Sequence, residues 1–373
     1  MRLAASMMLI ITLQLLISAC AGVTEGRVSG HSSSDIDADM NLVSYHHGVA
    51  AQVLEQLHTK NLVFEDSEAR SIVDQILARL LPEASRVGIN IVFTHLPGEN
   101  ALALANGTIL IHQSLLATVA SEPQLAFLLA HEIAHVNLSH AWSTTRSSLS
   151  TRFDRHAFGR EQEREADQYA ARLLVQAGYD LVDASGFFTQ LANYPVAYPG
   201  LEKSRTHPQL AQRKQSLLKA GKFTLAVNYN GAASGQSTKS TELSRKQFAR
   251  FRIRQLVHSI HAKTTEADLP GALVQLADLE TLTGSGDQTT CLRANIYAAI
   301  GADFAAARDA MKELLRGEAT GESAYQQEQE LKSKVLPNGF FRDQAETLYR
   351  EVLAQSPDAN CAVRGLSALL AQR

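Results

Sequence analysis

The chain lacks a strong net charge, a rich supply of cysteine and a long apolar run. Its formal net charge of −3 over 373 residues gives no indication of a nucleic-acid partner, because nucleic acids select basic surfaces. Its three cysteines allow one disulfide at most within the chain. Its apolar run at residues 7–17 is too short for a comfortable transmembrane helix. The remaining composition, 45% hydrophobic and 20% charged residues, is ordinary for a folded soluble protein with room for two domains.

The N-terminus has the layout of a secretory signal. Arg2 precedes the apolar run and a small-residue pair follows it, so we expect residues 1–19 to be removed. Residues 17–20 resemble a bacterial lipobox, in which Cys20 becomes the lipidated first residue; the alternative is a plain signal peptide with an incidental cysteine. Acyl chains would anchor the protein stably, and Ala21 in place of Asp favours the outer membrane. These features predict a periplasmic, lipid-anchored protein of a Gram-negative bacterium.

The two other cysteines, Cys291 and Cys361, form an even pair in a chain sent to an oxidising compartment. A disulfide between them is one interpretation. The other is that both are small buried apolar residues. Sequence alone does not decide, because it does not show whether their Cα atoms come close together.

The first part of the chain predicts two helices and a small sheet. Residues 20–41 have the composition of a flexible tether. Apolar spacing then predicts one helix carrying Val49–Leu57 and another carrying Ile72–Leu80. Alternating polarity predicts a strand over residues 89–93, and Asn106-Gly107 is a strong hairpin signal between two short strands. We therefore expect a small antiparallel sheet.

The chain is organised around the helix that follows this sheet, predicted from about Glu122 to about His140. A capping box of Ser121 and Gln124 favours its start. On this helix His131 and His135 stand one turn apart on the same face, so both imidazoles can reach one ion. With Glu132 they form the zinc-binding motif HExxH. The alternative is that two histidines stand four residues apart by chance.

The third ligand lies outside this helix. One class of zinc proteins has the longer motif HExxHxxGxxH, which would need a glycine at position 138 and a histidine at position 141. This class is excluded, because these positions hold Leu and Ala. His140 projects to the far side of the helix from His131 and is assigned a polar helix-end role.

The pattern that starts at Glu161 and runs to before Gly178 predicts a second helix, after a polar segment over 141–160 that is either a lid or a loop. Its apolar spacing places Glu163 and Asp167 on the inward face, whereas Glu161 and Glu165 have the character of solvated acids. Glu163 is the candidate third ligand. Asp167, one turn further, is placed to accept a hydrogen bond from a ligating histidine.

His131-Glu132-x-x-His135 with Glu163-x-x-Ala166-Asp167 resembles the zinc metallopeptidases of the HtpX, Oma-type, CAAX-endopeptidase and BepA/LoiP group. Residues 100–107 are similar to that family's NAFALPGG stretch, and residues 204–208 to its S-x-x-H-P motif. The resemblance covers roughly residues 42–217. It implies one zinc ion per subunit held by His131, His135 and Glu163, and a peptidase activity.

In this interpretation three ligands leave one tetrahedral position open, which is typical of catalytic zinc, and Glu132 is the general base. His207 is the candidate for a second group at the zinc site. It is expected to act either as an oxyanion donor or as a transient fourth zinc ligand that inhibits the enzyme. The alternative is an ordinary surface-loop histidine.

The C-terminal third is predicted to be helical beyond a linker at 228–244. Tyr297 and Gly301, and later Ala345 and Tyr349, fall at spacings used by tetratricopeptide (TPR) repeats, although a generic helical bundle is the alternative. The predicted fold class is α+β. A mainly helical, gluzincin-like peptidase domain with a small antiparallel sheet (residues 42–227) is followed by an all-α TPR-like domain (residues 245–373).

The leading functional hypothesis is a zinc endopeptidase that acts on misfolded or misassembled envelope proteins, a task implied by the resemblance. Its predicted partners are protein substrates, the outer membrane and outer-membrane assembly machinery recruited by the TPR-like region. The second hypothesis is a periplasmic chaperone or assembly scaffold whose metal site is latched or idle.

Overall fold

The computed structural model describes residues 33–140, 152–192, 210–230, 245–302 and 339–371. These residues belong to two units, one containing residues 33–192 and 210–230 and the other residues 245–302 and 339–371. The predicted fold class is confirmed, since helices predominate and one small sheet accompanies them. No helix among the described residues is long and apolar enough to span a membrane.

The first unit contains the sheet and most of the predicted motifs. Its elements are α1 (Ser33–Thr59), β1 (Val63–Phe64), α2 (Ser67–Leu80), a 3₁₀ helix (Glu83–Arg86), β2 (Asn90–Thr94), β3 (Ala101–Ala103), β4 (Thr108–His112), α3 (Gln113–Thr118), α4 (Glu122–Asn137), α5 (Arg152–Gln176), α6 (Leu181–Ala192) and α7 (Leu210–Asn230).

Three helices extend into segments that composition had predicted to be irregular. α1 begins at Ser33, inside the predicted tether; α5 begins at Arg152, inside the predicted lid or loop; and α7 continues to Asn230, into the predicted linker. Adding a residue to an existing helix gains one hydrogen bond for each residue fixed, whereas nucleation is costly. A polar segment beside an amphipathic helix can therefore continue it without burying an apolar face.

The sheet is mixed, which corrects the expectation of an antiparallel sheet. Its strand order is β1-β2-β4-β3. The Asn106-Gly107 hairpin pairs β3 with β4 antiparallel as predicted, but β2 runs parallel to β4, with Asn90 opposite Thr108. All five residues of β4 are buried, so this strand takes the central position between β2 and β3.

The hairpin turn depends on a glycine at position 107. Gly107 has a φ of 83°, a conformation that side chains with a Cβ disfavour. A Cβ at this position would lie 2.0 Å from the carbonyl oxygen of Gly88, so the close backbone approach also needs the missing side chain. The Gly107 carbonyl in turn accepts a hydrogen bond from the N–H of Asn90 at 3.1 Å, which ties the turn to the start of β2.

The helix α4 lies at the centre of the first unit and is buried along most of its length. It packs against α2, α5, α6 and β3. Its residues from Leu125 to Ala130 are all buried, as expected of a helix that is apolar all round. At its N-terminus Glu122 is buried, pairs with Arg79 and accepts a hydrogen bond from the Tyr179 hydroxyl at 2.8 Å. This anchor fixes the helix that carries the HExxH motif.

The ends of α4 differ in detail from the prediction. Ser121 precedes the helix as expected, but its hydroxyl makes no capping hydrogen bond, and the Gln124 side chain accepts from the N–H of Ala120 at 2.8 Å. The helix ends at Asn137 instead of about His140. Ser139 has a φ of 58°, a left-handed conformation that turns the chain back at this end.

The second unit consists of helices in its described part: α8 (Arg245–Thr265), α9 (Leu269–Thr283), α10 (Asp287–Gly301), α11 (Phe340–Gln355) and α12 (Asn360–Leu370). Each helix from α8 to α11 packs against the helix that follows it in this series. Gly301 lies against the next helix, since a Cβ there would be 3.1 Å from the backbone nitrogen of Arg342. The buried Tyr349 donates to Asn295 Oδ1 at 2.6 Å. The TPR-like repeat stays a prediction.

A disulfide joins Cys291 of α10 to Cys361 of α12, whose Cα atoms are 6.1 Å apart. It closes a loop over a sequence separation of 70 residues. Around it lies an apolar cluster of side chains from three helices: Cys291, Ala294, Ala345, Tyr349, Val352, Ala362 and Leu369.

Loss of this disulfide is expected to destabilise the second unit. The exposed Cys361 can be replaced by serine without opening a cavity, so Cys361→Ser should lower the free energy of unfolding by about 2–4 kcal/mol through the freedom gained by the unfolded chain. Scanning calorimetry with and without reductant measures the change. The variant should melt at the same temperature in both buffers, and a wild-type protein that did so would contradict the prediction.

Candidate metal centre

Three side chains from two helices converge at one point. His131 and His135 project from the same face of α4, and their Nε2 atoms are 3.1 Å apart. Glu163 of α5 faces both, with carboxylate oxygens 3.4 Å from each of these nitrogens. His131 and Glu163 are buried and His135 is partly buried. The structure therefore brings together the two histidines and the carboxylate that the sequence singled out.

The spacing of these atoms fits a tetrahedral metal ion. A zinc ion with bonds of about 2.0–2.1 Å holds its ligand atoms about 3.3 Å apart. The three separations between these donor atoms, 3.1 to 3.4 Å, agree with this value. Two imidazoles and one carboxylate are also a donor set that catalytic zinc uses. The residues present thus fit the implied ion.

Asp167 lies directly behind His131. Its carboxylate is completely buried, and Oδ1 is 3.1 Å from Nδ1 of His131. Because a carboxylate only accepts, this contact places the proton on Nδ1 and leaves the Nε2 lone pair for a metal.

A buried arginine that the sequence analysis missed completes this arrangement. Arg213 of α7 donates two hydrogen bonds to Asp167, at 2.9 Å from Nε and 2.8 Å from Nη2. Its Nη1 is 2.9 Å from Glu163 Oε2, and its guanidinium also lies against the ring of His131. Arg213 therefore holds in place both Glu163, a candidate ligand, and Asp167, which orients the candidate ligand His131.

The electrostatics of the centre favour a cation near His131. Burial and Arg213 oppose protonation of this imidazole, but Asp167 and Glu163 outweigh them and raise the pKa of His131 to about 9. Burial likewise opposes ionisation of Asp167, yet Arg213 and His131 hold the pKa of Asp167 below its ordinary value. A metal ion must therefore displace a proton from His131 at neutral pH.

Glu132 is buried and directly follows His131 on α4. Burial lowers the pKa of His135, and the negative charge of Glu132 opposes this lowering. Glu132 is not among the three converging donors, which are His131, His135 and Glu163 in the described residues. A carboxylate that sits beside a metal site without binding the ion is placed to accept a proton.

His140 has a different environment from the one predicted. It is buried, and its Nδ1 lies 3.0 Å from Nδ1 of His135. The helical projection failed because α4 ends before His140 and the chain turns back at Ser139. Glu165, assigned to solvent, contacts His140 at 3.2 Å.

Two predicted site residues, Cys20 and His207, lie outside the described residues. The signal that could have revealed Arg213 was present in the sequence. Two acidic residues on the apolar face of one helix require a buried cation, and Arg213 precedes Leu217 by one turn on a helix that follows the S-x-x-H-P stretch.

Comparison with known proteins agrees with this centre. The family model described as peptidase family M48 matches residues 68–154, and the model described as peptidase U49 matches residues 115–226. A Vibrio cholerae protein named as a beta-barrel assembly-enhancing protease is 25% identical over 194 residues, which are 42% of this chain and 40% of that protein. The mitochondrial metalloendopeptidase OMA1 of Bos taurus is 29% identical over 202 residues, 42% of this chain and 38% of that protein.

The chain thus spans about two fifths of the length of each of these relatives. The matched regions contain the HExxH motif on α4, Glu163 and Asp167 on α5, and Arg213 on α7. The family models and the relatives thus show that residues 68–226 are similar to M48 metallopeptidases, and the three converging donors support a metallopeptidase of this type.

Proposed function

We propose that this protein is a zinc-dependent endopeptidase that hydrolyses peptide bonds of cell-envelope proteins. The observation that carries the proposal is the buried carboxylate of Glu132 beside three donors at metal-ligand spacing. His131, His135 and Glu163 would hold the ion, with Asp167 and Arg213 behind them.

The proposed chemistry divides the work between the ion and Glu132. When bound, zinc supplies a Lewis acid that polarises the scissile carbonyl and acidifies a water molecule. Glu132 accepts the proton of the attacking water and then transfers it to the leaving amine. Burial of the centre strengthens these electrostatic effects because it lowers the local dielectric.

The edge strand β3 is the proposed binding site for the substrate backbone. β3 lies at one end of the strand order and packs beside α4. The N–H of His112 donates to the carbonyl of Asn100, so the backbone groups of the following Ala101 and of Ala103 point away from β4. An extended peptide can pair with this edge while making little demand on its own sequence.

The location and the substrates are proposed from several independent features. The signal-like N-terminus and the disulfide both fit an oxidising compartment. A relative named for beta-barrel assembly supports envelope proteins as substrates. We further propose that Cys20 carries a lipid that anchors the chain to the outer membrane, and that residues 245–373 recruit substrates or assembly machinery. His207 stays a proposed oxyanion donor or latch.

Metal removal tests the proposal most directly. The purified protein should contain about one zinc ion per chain and should cleave an unfolded casein substrate. A chelator should abolish cleavage, and added zinc should restore it. The proposal fails if the protein binds zinc only in traces, or if cleavage continues after the chelator has removed the metal.

A further inference from the structure

His140 occupies a position behind the second histidine of the metal centre. Its side chain is buried, and its backbone carbonyl accepts a hydrogen bond from Gln162 Nε2 at 3.3 Å. The left-handed turn at Ser139 brings the ring against His135, so that the two Nδ1 atoms are 3.0 Å apart. His140 therefore faces the side of His135 opposite to the candidate metal.

The other nitrogen of His140 meets a carboxylate. Nε2 of His140 lies 3.2 Å from Oε2 of Glu165, which projects from α5. The Glu165 side chain is 47% exposed and lines an open groove of about 480 Å³ beside the end of α4. His140 thus connects a partly buried candidate ligand, His135, to a carboxylate that solvent reaches.

The contacts from Glu165 through His140 to His135 determine where the hydrogens lie, because the first group in the series is a carboxylate. A carboxylate only accepts, so the proton shared with Glu165 belongs to Nε2 of His140. In a neutral imidazole the other nitrogen then carries a lone pair, so Nδ1 of His140 accepts from Nδ1–H of His135. The Nε2 lone pair of His135 is left to face His131 and Glu163.

We propose that His140 and Glu165 are positioning residues that hold His135 in the tautomer and orientation required to bind the metal. This inference rests on the proposed zinc centre and deepens it. Asp167 orients His131 directly, as His140 and Glu165 together would orient His135. The helix α5 therefore supplies one carboxylate, Asp167 or Glu165, for each histidine of the motif. Groups of this kind orient a ligating imidazole and raise its basicity, and losing one costs about 10–100-fold in metal affinity.

Zinc affinity of the substrate-free protein, measured by competition with a chelator of known affinity, tests the proposal. Glu165→Ala should weaken zinc binding about tenfold. Glu161→Ala is the matched control, because Glu161 lines the same groove and pairs with Arg164 instead of a histidine. It should leave zinc affinity within about twofold of wild type. Glu165→Gln keeps an acceptor but loses the charge, so it should give an intermediate affinity.

The variant His140→Ala provides a second test. It should weaken zinc binding by about 10–100-fold, and millimolar imidazole, which can enter through the open groove, should restore part of the affinity. The positioning role of His140 and Glu165 is overturned if wild type binds zinc while Glu165→Ala and Glu161→Ala have equal zinc affinities. It is also overturned if His140→Ala binds zinc as wild type does. If wild type itself does not bind zinc, the proposed zinc centre fails, and the proposed positioning role fails with it.

Discussion

Replacement of Glu132 by glutamine is expected to lower the turnover of an unfolded protein substrate by about 10²–10⁴-fold. Glutamine preserves the shape of this buried side chain but cannot accept the proton of the attacking water. The three candidate metal donors are unchanged, so Glu132→Gln should bind zinc as wild type does. The measurements are the initial rate of casein cleavage and the zinc content of the same sample.

The matched control is Glu161→Gln, which makes the same chemical change on an exposed residue of α5. Its cleavage rate should equal that of wild type. Glu132→Gln activity within about tenfold of wild type would assign the base to another residue.

The same substitution separates the two hypotheses about function. If the protein acts in the envelope as a peptidase, cells carrying only the Glu132→Gln chain should show the defect of cells without it. A chaperone or scaffold with an idle metal site would retain its function in these cells, provided that the variant is present at normal abundance.

Arg213→Met is expected to destabilise the metal-free first unit by about 3–5 kcal/mol. Arg213 is buried and contacts both Glu163 and Asp167, so its removal takes away the arginine cation that offsets the charge of these two buried carboxylates. Methionine preserves most of the side-chain volume, so the loss arises from the uncompensated charge. Zinc should reduce the effect, because its positive charge replaces part of that of the guanidinium.

Hydrogen exchange of the α4 and α5 backbone amides, measured in a chelator and again with zinc, reports the stability of this unit. Arg160→Met is the control on an exposed residue of α5 and should change the stability by less than about 0.5 kcal/mol. Equal exchange rates in Arg213→Met and wild type without metal would show that the ion-pair cluster contributes little to stability. An effect of the same size with and without zinc would contradict the charge argument.

The sequence predicted the features that depend on neighbours along the chain. The local sequence located α4 and its start after Ser121, although the predicted capping hydrogen bond of Ser121 is absent, and the Asn106-Gly107 signal located the hairpin of β3 and β4. Counting in threes and fours put Glu163 and Asp167 on the inward face of α5, where the structure has them buried. Element ends were predicted less well, because α1, α5 and α7 extend through polar segments that no periodicity marks.

The sequence did not predict which strand would be central. The alternation in β2 and the hairpin signal are local, and both are compatible with an antiparallel or a mixed sheet. β4 has five buried residues, so the backbone groups on both of its edges need partners away from water, and it pairs with β2 on one edge and β3 on the other. This requirement is met by contacts with other elements, which a single strand pattern does not specify.

By itself, the sequence determined that His131 and His135 share one face of a helix, since a helical repeat of 3.6 residues fixes that face. Only the tertiary structure decided that Glu163 reaches the same point, that Arg213 holds two acids behind it, and that His140 turns back onto His135. The physical reason is that backbone hydrogen bonds set geometry within a helix. The relative placement of α4, α5 and α7 comes instead from packing between residues that are distant in the chain.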